Sequence, residues 1–357
     1  MTVKLLIGDC REKLKELPDE SIDCVVTSPP YWGLRDYKTE PLIWDGAPGC
    51  EHEWDDEHKV STYTPSSTTS VGNELNGSHN MDYIHGICQK CGAWRGQLGL
   101  EPDPNLYIKH LSDIFDQVKR VLKPSGTCWV NLGDSYGGSG KGYGGGDHGK
   151  LGKHANDFLP KPSDNSIQDK CLVQIPSRFA LEMTARGWIL RNEIIWHKPN
   201  CMPSSVTDRF TVDFEKVFFF VKSKRYYFKQ QYEQATAPPG NPGPFSKAGN
   251  ADRNDTGRIY IPNESGNRNK RTVWTIITKP YSGSHFAVFP IDLIAPMIDA
   301  GCPSDGAVLD PFSGSGTVLE YARKHGLNGV GIELNPEYKG LATDRALLNV
   351  PEITDYE

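Results

Sequence analysis

No stretch of the sequence contains the run of about eighteen apolar residues that a membrane-spanning helix needs. The apolar stretch at the N-terminus, residues 3–7, is also too short to be the hydrophobic region of a secretory signal peptide. We therefore expect a cytoplasmic protein that has no membrane partner.

The chain also lacks an excess of positive charge, since its formal net charge is −6 over 357 residues. Such a protein has no general attraction to nucleic acid, so binding to DNA or RNA would require a local basic surface. The nine cysteines are an odd number and are scattered along the chain, which argues against a disulfide framework. In a reducing compartment we expect them to be free thiols or metal ligands.

Strand and helix patterns alternate at both ends of the chain. Residues 3–26 read as strand, helix and strand, and residues 307–333 repeat that order with a glycine turn after the first strand. Further strands and helices are predicted between residues 106 and 200. This alternation predicts an α/β fold that is built on a mainly parallel sheet.

The α/β pattern is interrupted twice by polar segments that are rich in glycine, proline and asparagine. The first, residues 36–105, is predicted to be an insertion with a metal site. The second, residues 201–280, contains one predicted strand and is a candidate for recognition of a target. The remaining segments, 1–35, 106–200 and 281–357, are then the three parts of one core.

A glycine-rich turn separates a predicted strand from a predicted helix near the C-terminus. Glycines there permit a tight turn and a close approach of the backbone to a ligand, and Glu333 at the next strand end can accept hydrogen bonds from both ribose hydroxyls. Leu319 replaces the third glycine of a dinucleotide fingerprint, which favours an adenosyl group over NAD. An ordinary strand-to-helix turn is the alternative. The predicted nucleoside-binding residues are Asp310, Phe312, Gly314, Ser315, Gly316, Thr317 and Glu333.

A stiff turn, Ser28-Pro29-Pro30-Tyr31, follows the second predicted strand. The exocyclic amine of a nucleic-acid base is a poor nucleophile because its lone pair is delocalised into the ring. The Ser28 hydroxyl and the Pro29 carbonyl can accept its hydrogens, and the Tyr31 ring can stack on an extruded base. These four residues are the candidate catalytic residues, with an ordinary turn and a core tyrosine as the alternative.

The two motifs together resemble those of the DNA amino-methyltransferase family, which transfers the methyl group of S-adenosylmethionine to base amines. With the catalytic motif first and the cofactor motif last, their order resembles the permuted β class of that family. The resemblance implies a Rossmann-like methyltransferase sheet, S-adenosylmethionine as cofactor and double-stranded DNA as substrate. It also suggests a bacterial or phage origin and leaves open a restriction endonuclease partner and a homodimer.

Other cofactor contacts are implied by the resemblance alone. A piece near the N-terminus resembles the family's contact with the cofactor adenine, a later strand end resembles the one beside the cofactor, and a third segment resembles the one that precedes the cofactor loop. The residues concerned are Asp9 with Cys10, Asp134 and His285, respectively. One departure is Phe214-Glu215, where many relatives have His-Glu.

Serine in the first position of the catalytic tetrapeptide favours cytosine N4 as the methylated atom, because relatives that methylate adenine N6 more often carry aspartate there. Methylation of adenine N6 in DNA is the nearest alternative. More distant alternatives are methylation of RNA or protein amines, and a zinc-containing DNA-binding protein without catalytic activity.

Two short pairs of metal-ligating residues lie in the segment 36–105. They are Cys50 with His52, and Cys88 with Cys91. Three thiolates and one imidazole are the ligand set of a closed tetrahedral zinc site. A structural zinc ion would explain how a segment without an evident hydrophobic core folds. The sequence leaves open that these cysteines are unrelated, or that His79 or His85 is the fourth ligand.

Overall fold

The computed structural model describes residues 1–34, 37, 39–55, 58–60, 83–137, 167–234, 267–278 and 289–346. The strands in these ranges are β1 (Val3–Ile7), β2 (Ile22–Thr27), β3 (Leu42–Trp44), β4 (His58–Val60), β5 (Tyr83–Ile87), β6 (Trp94–Gly96), β7 (Leu122–Leu132), β8 (Ile189–His197), β9 (Phe214–Val221), β10 (Tyr232–Gln234), β11 (Asn267–Asn269), β12 (Val273–Thr275), β13 (Ala307–Asp310) and β14 (Asn328–Glu333). The α-helices are α1 (Cys10–Lys13), α2 (Pro104–Val121), α3 (Ile175–Ala185), α4 (Ile291–Gly301), α5 (Thr317–Lys324) and α6 (Tyr338–Arg345).

Eight strands form one twisted central sheet in the order β1-β14-β13-β2-β7-β9-β8-β12. Neighbouring strands are parallel except where β9 pairs with β7 and with β8, so β9 is the reversed strand of this sheet. The predicted α/β class is therefore confirmed.

Two strands from opposite ends of the chain lie side by side at the centre of this sheet. Cys24 and Val25 of β2 pair in parallel with Val308 and Leu309 of β13. From β13 the chain continues through α5 to β14 on one side, whereas from β2 it continues through α2 to β7 on the other. In open α/β sheets the carboxyl ends of two such strands border the crevice in which ligands bind.

The central sheet is buried on both faces. Along β9, Phe218 and Phe220 belong to the hydrophobic cluster that includes α2 and α3, whereas Val217 and Phe219 belong to the cluster that includes α4 and α5. Burial on both faces explains why this strand reads as a continuous apolar run instead of an alternation. No helix in the described ranges is both long and apolar enough to cross a bilayer.

A second sheet of four antiparallel strands, in the order β3-β6-β5-β4, lies within residues 36–105. We refer to it as the small sheet. Three of its strands are only three residues long. An alternation of polar and apolar residues cannot be recognised over so short a length, and for this reason the sequence showed no strand pattern there.

Candidate active site

An open cleft lies at the carboxyl ends of β13, β2 and β14. Its walls come from the glycine-rich turn after β13, the turn after β2, the turn after β1 and the small sheet. The cleft thus combines residues from both motifs. The predicted site residues that line it are Asp9, Cys10, Ser28, Pro30, Phe312, Gly314, Ser315, Thr317 and Glu333.

Backbone hydrogen bonds and one carboxylate hold the glycine-rich turn. Glu333 accepts a hydrogen bond from the Gly314 N–H at 2.8 Å and another from the Asn335 N–H at 2.8 Å. Burial raises the pKa of this carboxyl. Gly316 has a φ of +78° and lies against Ala342 of α6, so a side chain at this position would be both strained and crowded.

Asp310 connects the two loops at the floor of the site. The Thr27 hydroxyl donates to Asp310 Oδ1 at 2.6 Å, and the Phe312 N–H donates to the same oxygen at 3.1 Å. Burial raises the pKa of this carboxyl to about 7. Among the described residues, no partner contacts Asp310 Oδ2 or the buried hydroxyl of Ser313. Buried polar atoms normally have partners, so these two fit a polar ligand such as a nucleoside with an amino-acid tail.

At the turn after β2, side chains from β7 and β9 form hydrogen bonds with the tetrapeptide. The Tyr31 hydroxyl donates to Glu215 Oε2 at 2.7 Å and lies 3.1 Å from Asn131 Oδ1, while the Ser28 hydroxyl donates to the tyrosine oxygen at 3.2 Å. Burial and then the charge of Glu215 raise the pKa of Tyr31 well above its usual value. The tyrosine therefore stays neutral and fixed in orientation.

The backbone of the tetrapeptide is anchored from α2. The Tyr107 hydroxyl donates to the Pro30 carbonyl at 2.7 Å. Among the described residues, no donor contacts the Pro29 carbonyl, and Pro29 itself is buried and does not line the cleft. The ring of Tyr31 packs against Gly133, where a Cβ atom would come within 2.5 Å of the tyrosine Cε2.

The turn after β1 contributes the wall that carries Asp9 and Cys10. Asp9 caps α1 by accepting a hydrogen bond from the Arg11 N–H at 2.9 Å, and its other oxygen accepts from Arg11 Nε at 2.8 Å. Burial raises the pKa of the Cys10 thiol, so this thiol is neutral at physiological pH. Both residues line the cleft.

Three predicted cofactor residues are not among those that line the cleft, namely Asp310, Gly316 and Asp134. The Asp134 carboxylate accepts hydrogen bonds from the N–H groups of Ser135 at 2.9 Å and Ile175 at 3.0 Å, and so caps the start of α3. His285 lies outside the described residues. The role of these residues in cofactor binding stays a prediction.

The predicted metal ligands form one cluster at the end of the small sheet. The ligand atoms of Cys50, His52, Cys88 and Cys91 all lie within 4.8 Å of one another. Burial raises the pKa of the Cys88 thiol, but hydrogen bonds from His52 and from backbone N–H groups together outweigh it and lower the pKa to about 6. Of the alternative ligands, His79 and the side chain of His85 lie outside the described part of the chain.

Sequence reasoning missed two groups of site residues. Asn131 and Glu215 contact Tyr31 from strands that lie 100 and 184 residues away. The only signals for them were the resemblance of the strand end at residues 131–134 to a family segment and the pair Phe214-Glu215, where many relatives have His-Glu. Leu42 and Trp44 of β3 line the cleft, although residues 36–105 were predicted to be a separate insertion. No local pattern in the sequence indicates such contacts.

A family model described as DNA methylase matches residues 22–344. The Type II methyltransferase M.SmaI of Serratia marcescens is 36% identical over 344 residues, which span 96% of this chain and 90% of that protein. M.Cfr9I of Citrobacter freundii is 35% identical over 341 residues, with 96% and 86% covered.

Two solved structures share the fold. The PvuII DNA methyltransferase, named as cytosine-N4-specific, matches with a TM-score of 0.54 at 18% identity, covering 97% of this chain and 86% of that chain. A putative DNA modification methylase of Thermus thermophilus, solved with S-adenosyl-L-methionine, matches with a TM-score of 0.52 at 20% identity, covering 98% and 95%.

These matches confirm the predicted Rossmann-like methyltransferase fold and the predicted cofactor, S-adenosylmethionine. In the cleft, the predicted catalytic turn comes from the first part of the chain and the predicted cofactor turn from the last. The chain belongs to the DNA methylase family and is an S-adenosylmethionine-dependent DNA methyltransferase.

Proposed function

We propose that this methyltransferase modifies the exocyclic N4 amine of a cytosine that is flipped out of double-stranded DNA. The observation that carries the proposal is the position of Ser28, which lines the same cleft as Gly314 and Glu333 of the cofactor loop. A base amine held by Ser28 would therefore lie next to a methyl donor held by that loop. Methyl transfer needs such placement more than it needs a strong general base.

The cofactor supplies an electrophilic methyl group on a sulfonium when it is bound, and the chain supplies the acceptors. We infer that the Ser28 hydroxyl and the Pro29 carbonyl accept the two hydrogens of the amine and direct its lone pair toward the methyl group. The amine has to release one proton once it is methylated. The hydrogen-bonded series from Ser28 through Tyr31 to Glu215 leads from the amine to a carboxylate and can share that proton.

We propose cytosine and not adenine because Ser28 is the first residue of the tetrapeptide, and the family resemblance associates serine there with cytosine N4 and aspartate with adenine N6. The hydroxyl is neutral and can donate to Tyr31 while it accepts from the base, which an ionised carboxylate cannot do. The cytosine-N4 specificity in the name of one structural relative supports only the fold, at 18% identity. Adenine N6 is therefore the alternative that an experiment has to exclude.

We propose that residues 201–280 contact the DNA target with the parts that lie outside β9 and β12. Those two strands belong to the central sheet, together with strands of the segments 1–35, 106–200 and 281–357. Within residues 201–280, the large apolar side chains of Met202 and Phe210 are 86% and 97% exposed. Exposed apolar side chains on a segment that contacts DNA can insert between bases and fill the space that an extruded base leaves. The Type II names of the relatives suggest a cognate restriction endonuclease as a partner in the cell.

The test is incubation with methyl-labelled S-adenosylmethionine and duplex DNA of mixed sequence, followed by digestion to nucleosides and mass spectrometry. We expect N4-methylcytosine from the wild type, and about 100-fold less product from Ser28→Ala, since one misplaced reacting group can cost that much. Ser21→Ala, which removes a hydroxyl that bonds to the Pro18 carbonyl before β2, is the matched control. N6-methyladenine as the product would overturn the choice of base.

A further inference from the structure

The cluster of Cys50, His52, Cys88 and Cys91 has the composition and the geometry of a closed metal site. Its four ligand atoms lie within 4.8 Å of one another, and the four cysteine and histidine side chains come from two separate loops of the small sheet. In a tetrahedral zinc site with Zn–S bonds of about 2.3 Å, sulfur atoms are about 3.8 Å apart. The observed distances between the ligand atoms, of up to 4.8 Å, would have to shorten only slightly to reach this arrangement.

Backbone hydrogen bonds shape the loop that carries the Cys-x-x-Cys pair. The Cys88 N–H donates to the Ala93 carbonyl at 2.7 Å, and the Gly92 N–H donates to the Cys88 carbonyl at 2.8 Å. Gly92 has a φ of +74°, which suits glycine. This turn places the thiols of Cys88 and Cys91 on the same side. All described cysteines are free, so none of the three thiols in the cluster is held in a disulfide.

The other end of the small sheet forms part of the cofactor cleft. Leu42 and Trp44 of β3, together with Gln97 and Leu98 after β6, line the cleft together with the glycine-rich turn. Strand β3 pairs with β6, and the metal-ligand loops follow β3 and precede β6. A metal ion in the cluster would therefore tie together the two strands that present this wall.

Arg11 connects the small sheet to Asp9, which is a predicted cofactor residue. The guanidinium of Arg11 lies 3.9 Å from the centre of the Trp44 ring and donates to the Ile43 carbonyl at 2.9 Å. The same guanidinium holds the Asp9 carboxylate, at 2.8 Å from Nε to Oδ2. Displacement of β3 would thus disturb Asp9 as well as the apolar wall.

We propose that Cys50, His52, Cys88 and Cys91 bind one structural Zn²⁺ ion, and that this ion supports the binding of S-adenosylmethionine by fixing the wall of the cleft that β3 and β6 provide. The ion has four protein ligands and no open position, so it takes no part in the methyl transfer. The proposal rests on the position of the cofactor cleft and does not depend on which base is methylated.

Metal content tests the site itself. We expect elemental analysis of the purified full-length protein to find one zinc per chain, and Co²⁺ exchanged into the site to give the strong visible absorption of a tetrahedral thiolate complex. Cys91→Ser should lose most of the zinc and shift the cobalt spectrum. Cys171→Ser, a change to an exposed cysteine outside the cluster, should retain both. Absence of bound metal together with absence of these cobalt bands would overturn the site.

Calorimetric titration with S-adenosylmethionine, in the absence of DNA, tests the coupling. Two linked sites typically change each other's affinity by roughly 5- to 150-fold, and we expect cofactor binding to weaken about tenfold or more after a chelator has removed the metal from folded wild type. Added Zn²⁺ should restore it and added Mg²⁺ should not. This design remains decisive even if Cys91→Ser does not fold. Unchanged affinity of the metal-free protein would overturn the coupling.

Discussion

The two loops that meet in the cleft are built in different ways, although they follow neighbouring parallel strands. The loop after β13, which we propose binds the cofactor and call the cofactor loop, is shaped by backbone N–H groups, by glycines and by the buried carboxylate of Glu333. The loop after β2, which we propose binds the base and call the catalytic loop, contains two prolines and is held by side chains, with Glu215 and Tyr107 as its principal partners. One loop depends on backbone conformation, and the other depends on the positions of distant side chains.

Because of this difference, substitutions in the two loops should affect cofactor affinity and turnover separately, although a measurement of activity usually combines the two. Changes in the cofactor loop should weaken cofactor binding, and turnover should fall as a consequence. Changes around the catalytic loop should reduce turnover while the affinity for the cofactor is unchanged, because Tyr31 and its partners lie on the side of the base. Thr27 and Asp310 are the point at which the two loops are connected.

The largest effect is expected at Glu333. The Glu333→Ala substitution removes two hydrogen bonds that backbone N–H groups make to a buried carboxylate. Hydrogen bonds to charged groups contribute about 1.5–3 kcal/mol each, so we expect the dissociation constant of S-adenosylmethionine to rise roughly 100-fold or more. Isothermal titration calorimetry measures this directly. Glu337→Ala, at an exposed position just before α6, is the control and should bind normally. Equal affinity of the two variants would show that the loop does not hold the cofactor.

The next largest effect is expected at Gly133, on the catalytic side. A Cβ atom there would lie 2.5 Å from Tyr31 Cε2, so Gly133→Ala has to displace the ring. A displacement of about 1 Å in an active site can cost roughly 100-fold in rate, and we expect kcat to fall by roughly 10- to 100-fold. Cofactor affinity should not change. Gly340→Ala in α6, where an added Cβ meets no atom within 4 Å, is the matched control.

The sequence indicated the residues that meet around the glycine-rich turn better than it indicated the partners of Tyr31, because the two sets of contacting residues differ in their separation along the chain. Gly314 and Glu333 are 19 residues apart, within one strand-helix-strand unit that has a recognisable pattern. Tyr31 meets Asn131 and Glu215 at separations of 100 and 184 residues. Such contacts follow only from the order of strands in the sheet, which local periodicity does not determine.

The small sheet illustrates a second reason why part of the site could not be predicted from the sequence. The spacing of its metal-ligating residues predicted that Cys50, His52, Cys88 and Cys91 would come together, and the structure places them in one cluster. The contribution of the same segment to the cofactor cleft was not foreseen, because its strands are too short to show which face is buried. Ligand chemistry was visible in the sequence, whereas packing was not.

A smaller effect is expected at Glu215. Glu215→Gln keeps a hydrogen-bond acceptor for Tyr31 but removes the charge that, after burial, raises the pKa of the tyrosine. We expect kcat to fall about tenfold, the loss of roughly one charged hydrogen bond. The pKa of Tyr31 should fall as well, so any loss of activity at high pH should begin at a lower pH than in the wild type. Glu193→Gln, on the neighbouring strand β8, removes a carboxylate that pairs with Lys216 and serves as the control. A pH profile of kcat for the three proteins measures both effects.

The smallest effect is expected at Asp310, where the two loops are connected. It concerns the pH dependence of the stability of the cofactor-free protein. Burial raises the pKa of Asp310 to about 7, far above the value of about 3.9 for an unfolded chain. The folded state therefore holds a proton that the unfolded state has released, and the associated stabilisation is complete below about pH 4 and is lost as the pH rises through about 7. Asp310→Asn cannot ionise, so its melting temperature should fall by a few degrees less than that of the wild type between about pH 6 and pH 8. If the melting temperatures of the two proteins fell equally with pH over this range, the junction would carry no buried proton and the two loops would not share a titrating group.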